Sequence, residues 1–156
     1  MIFGAVLMVG GALLVSKTIA EKEKRKIEIL EALCRLITYI KQNIETFGTP
    51  IDDIIAGYRC EILEGYGFKD AIRLRGEREI PYQLIELISE EAQSDLKAFV
   101  KNVGGGYKDE ETGRCDYYLS RFETHLQLEK EKFNRNAPLY RYLPLFGALS
   151  AVIMLI

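Results

Sequence analysis

Between Ile27 and Phe47 the apolar residues Ile27, Leu30, Cys34, Ile37, Ile40, Ile44 and Phe47 recur at spacings of 3, 4, 3, 3, 4 and 3. At about 100° of turn per residue these side chains share one side, so the spacing predicts an amphipathic helix with a buried stripe. Neither Gly nor Pro interrupts the chain from Ala20 to Phe47, and the helix is expected to extend back into the apolar residues before it. Gly48 should end it. Thr49 suits an N-cap and Pro50 the first helical position of the next helix, with Asp52 and Asp53 in a first turn whose dipole favours negative charge. That second helix is expected to turn Ile54, Ile55, Tyr58 and Ile62 inward and to stop at Gly65-Tyr66-Gly67.

A short helix is predicted over 68–75, closed by Gly76, and another opened by Pro81 and carrying Leu84, Leu87 and Ile88. Ser89 followed by Glu90 and Glu91 is a fresh N-cap signature. Leu96, Phe99, Val100 and Val103 then mark a stripe that ends at Gly104-Gly105-Gly106. A long helix is expected from about Asp109 to Asn134, burying Cys115, Tyr118, Leu119, Phe122, Leu126 and Phe133. No alternating apolar run of strand length occurs, so the expected class is all-α.

The two ends differ from this pattern. Met1–Ser16 and Tyr142–Ile156 contain no charged residue, so all 21 basic and 23 acidic residues lie between Lys17 and Arg141. An ordinary globule does not segregate charge in this way. Helix continued from the first run through Ala20 has about the length a bilayer core requires. It lacks the basic leading region and the A-x-A cleavage pattern of a secretory signal peptide, which favours an uncleaved anchor. The last run is shorter, but Tyr140 and Tyr142 suit the headgroup level and Pro144 is expected in the first turns of its helix, where a missing N–H matters little. The predicted organisation is a membrane helix over 1–20, a cytoplasmic helical bundle over 21–137 and a membrane helix over 138–156. Lys17, Lys22, Lys24, Arg25 and Lys26 follow the first run, and Lys130, Lys132, Arg135 and Arg141 precede the last. The positive-inside rule therefore places 17–141 in the cytoplasm and both termini outside.

Candidate chemistry changes this picture little. Cys34, Cys60 and Cys115 are odd in number and widely spaced, which argues against a disulfide framework or structural zinc and for small core residues. Gly104-Gly105-Gly106-Tyr107-Lys108 lacks the spacing of a phosphate-binding loop and follows no predicted strand, so it reads as a helix end and turn. The acidic pairs Asp52-Asp53 and Glu90-Glu91 and the run Asp109-Glu110-Glu111 all sit at predicted helix starts, where the dipole explains them. His125 is expected to form a surface pair with Glu129, four residues on. These readings predict no enzyme, no metal or cofactor, no nucleic-acid partner and no small-molecule substrate.

Formal charge sums to +2 over 17–35, 0 over 36–50, −6 over 51–128 and +2 over 129–141. Basic ends suit anionic membrane lipid, while an acidic body is repelled from it and stays available to a protein partner. Asp52, Asp53, Glu61, Glu64, Glu90 and Glu91 are the candidate docking residues.

The order of parts resembles the stage III sporulation protein AB family of endospore-forming bacteria. The resemblance covers essentially the whole chain and is carried by Gly48-Thr49-Pro50, by Gly106-x-x-Asp109, and by Leu145-Phe146-Gly147-Ala148-Leu149 leading into the last apolar residues. Gly113 stands where the family has Gln, and Gly105-Gly106 where it has Leu-Gly. The resemblance implies a cytoplasmic domain similar to the type II secretion inner-membrane platform protein, an antiparallel helical bundle flanked by two transmembrane helices. It implies a non-enzymatic platform subunit of the mother cell to forespore channel, in the outer forespore membrane, with the bundle facing the mother-cell cytoplasm. Its implied partners are other channel subunits, including a secretion-type ATPase. On that basis Gly48, Thr49, Pro50, Gly106 and Asp109 shape turns of the bundle. The competing reading is a membrane-tethered helical adaptor or holin-like protein unrelated to sporulation.

Overall fold

The computed structural model describes the backbone of residues 2–74 and 79–153, with side chains at 11, 17–74, 79–139, 142, 146, 147 and 150. The described residues form α1 (Ile2–Phe47), α2 (Ile51–Gly57), α3 (Glu61–Gly65), α4 (Phe68–Arg73), α5 (Tyr82–Ile85), α6 (Glu90–Asn102) and α7 (Lys108–Ile153), with no strand among them. The chain is all-α. It divides into two compact units, one of Lys26–Gln127 and one of Met1–Arg25 with Leu128–Ile156.

The core lies in Lys26–Gln127. Ile29, Leu33 and Ile40 of α1, Leu96 and Phe99 of α6 and Phe122 of α7 are fully buried there, each stabilising the fold by about 1.5–3 kcal/mol relative to exposure. Helix direction follows from the polar contacts. Lys41 of α1 meets Asp116 of α7 at 2.6 Å, and the Lys108 ammonium donates to the Glu45 carbonyl at 2.8 Å. Moving up α1 thus means moving down α7, which makes the two antiparallel. Asp95 with Arg121, and the Asn102 carbonyl with Arg114, give the same sense for α6 against α7. The rings of Phe99 and Tyr118 meet edge to face at 5.4 Å between them, a favourable aromatic geometry. The short α4 packs on α2, α3 and α6 and buries Phe68, Ala71 and Ile72.

Several elements differ from the sequence expectation. Helix α2 begins at Ile51 with Pro50 as its N-cap and no side-chain capping bond, so Thr49 is not the cap. The second helix breaks rather than running to Gly65: Tyr58 and Cys60 are extended, and α3 restarts at Glu61. Glu64 supports that restart by accepting from the Cys60 amide at 3.4 Å. Pro81 is likewise an N-cap instead of a first helical residue. Phe47, assigned by spacing to the buried stripe, is 76% exposed, because the chain turns away at Gly48, whose φ of +62° suits glycine. The expected helix stop at Gly76 lies outside the described residues.

Ser89 caps α6 as its sequence predicts, accepting from the Ala92 amide at 3.3 Å. Helix α7 starts at Lys108 and continues through Pro138 and Pro144 to Ile153, so Pro144 sits in a helix interior and not in a first turn. Leu119, Leu126 and Phe133 are half-buried on it.

In the unit of Met1–Arg25 with Leu128–Ile156, Lys17 and Glu21 form an exposed pair at 3.9 Å. Glu129, with a side chain only 10% exposed, pairs with Lys132 at 2.9 Å. No helix among the described residues is long and apolar enough to cross a membrane. Most side chains of the two apolar runs at 1–20 and 138–156, on which the expectation of membrane helices rests, lie outside the described residues.

Candidate functional site

The turn residues singled out by sequence are distant along the chain, yet four of them line one cavity. Gly48, Thr49 and Pro50, between α1 and α2, face Gly106, ahead of α7, across a space of about 250 Å³. Ile44 and Ile51 supply apolar wall, and Asp52, Lys108 and Glu111 supply charge. Asp109 is exposed in the first turn of α7 and does not line it.

Glu111 organises the glycine side of the cavity. Its carboxylate accepts from the Gly106 amide at 2.7 Å and from the Gly104 amide at 3.0 Å. It also pairs with Arg114, whose guanidinium donates to the Asn102 carbonyl at 2.6 Å. The glycine turn therefore does hold an anion, but the anion is a side chain of the same protein. This explains why Glu111, expected only as a charge in a helix first turn, is buried at 4% exposure. Gly104 has a φ of +82°. A Cβ on Gly106 would lie 2.7 Å from Glu110 Oε2 and 3.1 Å from Glu111 Oε1.

The candidate docking residues do not share one environment. Asp52, Asp53, Glu61, Glu90 and Glu91 are exposed at the starts of α2, α3 and α6. Glu64 is engaged internally by Lys69 at 2.8 Å, with Arg59 at 4.0 Å. The Lys69 hydrogen bond holds the Glu64 carboxyl below its ordinary pKa.

His125 does not make the expected pair with Glu129. Its Nε2 lies 2.8 Å from Asp95 Oδ2, and the Arg121 guanidinium donates to both Asp95 oxygens at 3.0 and 3.3 Å. Burial pushes the Asp95 carboxyl up, but the bonds to His125 and Arg121 outweigh it and set the pKa below the ordinary aspartate value. The three residues clamp α6 to α7. Spacing held a signal for this, because Asp95 lies three residues after Ala92 and four before Phe99, on the buried side of α6. Its partners, 26 and 30 residues away, had no local signal.

Cys115 is fully buried and its thiol is raised to about 11 by burial, with the nearby Glu111 and Asp116 charges adding to the shift. Among the described residues no group of three or more His, Cys, Asp or Glu side chains is placed to hold a metal ion.

No protein family, curated protein or solved structure matches the chain.

Proposed function

We propose that this protein is a non-enzymatic platform subunit of the channel between mother cell and forespore that endospore formation requires. Its two apolar ends anchor it in the outer forespore membrane, and its acidic bundle faces the mother-cell cytoplasm to dock a secretion-type ATPase. The observation that carries the reading is the make-up of α1 and α7. Each is one helix that contains an uncharged apolar run and also a stretch of bundle core. A chain built in this way is suited to anchorage at both ends of its core. The segregation of charge, basic beside each run and acidic over 51–128, supports it further.

The test is photo-crosslinking from side chains placed at Asp53 and Glu90 of the full-length protein in cells entering sporulation, with alkaline extraction of the same membranes. Retention in the membrane and capture of a secretion-type ATPase or another channel subunit is the expected result. Release into the soluble fraction would overturn the anchorage. Capture of the protein alone, folded and abundant, would overturn the platform and favour an adaptor unrelated to sporulation.

A further inference from the structure

Two opposite charges line the cavity between the Gly48-Thr49-Pro50 turn and Gly106 without neutralising each other. Asp52 and Lys108 both belong to its wall, yet they form no ion pair with one another. The Lys108 ammonium donates to the Glu45 carbonyl at 2.8 Å, which leaves its charge in place and two of its three protons still to give. The Asp52 carboxylate is exposed and has no hydrogen-bond or ion-pair partner among the described residues. The hydroxyl of half-buried Thr49, in the same wall, likewise has none. Glu111 stands apart from these groups, because Arg114 balances it and the Gly104 and Gly106 amides engage its oxygens.

The wall therefore offers one cation and one anion, and that combination selects among occupants. A simple cation would meet the Lys108 charge and a simple anion the Asp52 charge. A neutral apolar molecule would strip water from both charges and return nothing to either. A zwitterion meets both with charge-assisted hydrogen bonds. Size and apolar surface narrow the class further. At about 250 Å³ the cavity falls below the roughly 300–1,000 Å³ of pockets that hold drug-sized ligands, and suits a molecule the size of an amino acid. Ile44, Pro50 and Ile51 supply apolar wall, which a purely polar zwitterion would leave uncovered.

We propose that this cavity binds a free aliphatic α-amino acid. Its carboxylate lies on the Lys108 ammonium and the Thr49 hydroxyl, its ammonium on the Asp52 carboxylate, and its side chain on Ile44, Pro50 and Ile51. The site goes beyond the platform reading and does not rest on it.

The probe is L-leucine, titrated into the isotope-labelled full-length protein in lipid nanodiscs. Three analogues are titrated beside it: leucinamide, which lacks the carboxylate, N-acetylleucine, which lacks the ammonium, and glycine, which lacks the side chain. Saturable amide shifts at Gly48, Asp52 and Gly106 are expected with leucine, at a dissociation constant on the order of millimolar. Each analogue should bind about tenfold more weakly, the loss of one contact. Asp52→Asn should weaken leucine by a similar factor and remove its advantage over N-acetylleucine, while Lys108→Gln should remove its advantage over leucinamide. Leucinamide as tight as leucine would assign the cavity to an amine alone, and N-acetylleucine as tight to a carboxylate alone; either overturns the proposal. Glycine as tight as leucine, no saturable shift, or shifts confined to another surface would overturn it too. The analogue series needs only the unaltered protein, so it decides the matter even where a variant fails to fold. It also requires neither sporulating cells nor a captured subunit, so its failure is distinguishable from failure of the platform reading.

Discussion

The Glu111 carboxylate accepts a hydrogen bond from the Gly106 amide at 2.7 Å, closing the turn that joins α6 to α7. With the Gly104 amide it gives one buried carboxylate two backbone donors and an arginine. Replacing Glu111 with Ala should therefore cost about 2–3 kcal/mol in urea unfolding, since buried amides and a guanidinium lose a charged partner. Gly106→Ala should cost about 1 kcal/mol, the size of a modest overpacking penalty. Part of that loss should disappear in a Glu110→Ala background, because one of the close contacts is to the flexible end of Glu110. Equal cost in both backgrounds would assign it to the two contacts that alanine at 110 leaves in place, Glu111 Oε1 at 3.1 Å and the Cβ of residue 110 at 3.2 Å.

Gly48 and Gly113 should respond to Ala in opposite directions. A Cβ on Gly48 meets nothing within 4 Å, but its φ of +62° disfavours L residues, so Gly48→Ala should destabilise by about 1–2 kcal/mol. Gly113 lies inside α7 with open space around it, so Gly113→Ala should stabilise by up to about 1 kcal/mol. Thermal unfolding of the two variants side by side checks both signs.

The clamp of Asp95 with Arg121 and His125 predicts a pH dependence. Its carboxyl titrates lower in the folded chain than the ordinary 3.8. Folding is therefore favoured by the shift at all pH above that value, and the contribution is lost as pH falls through the folded pKa. Asp95→Asn should be less stable than the parent by about 1–3 kcal/mol near neutral pH. The difference should narrow once the solution is more acidic than the ordinary aspartate range. Urea midpoints across an acid series would measure this, and a constant difference would assign the loss to packing alone.

Thiol reactivity should separate the cysteines. Cys115 is fully buried with a thiol raised to about 11, so it should resist a neutral-pH alkylating agent until the bundle unfolds. Cys34 and Cys60, both half-buried, should react first. Mass spectrometry of the native protein after timed alkylation gives the order.

Periodicity and local capping were enough to establish an all-helical chain, the buried faces of α6 and the core of α7, and the Ser89 cap. Those properties depend on residues three or four apart, and their physics is complete within a turn or two of helix. The uncharged ends and the acidic middle are also properties of sequence alone. Folding decided what links distant residues. It gathered Gly48, Thr49, Pro50 and Gly106 around one cavity, turned Glu111 from a helix-start charge into the ligand of a glycine turn, and took His125 from Glu129 to Asp95. Phe47 continues the apolar period of α1 but faces solvent, because the chain turns away one residue later. A spacing rule cannot register that, since burial depends on what lies opposite in space as well as on the helix face a residue occupies.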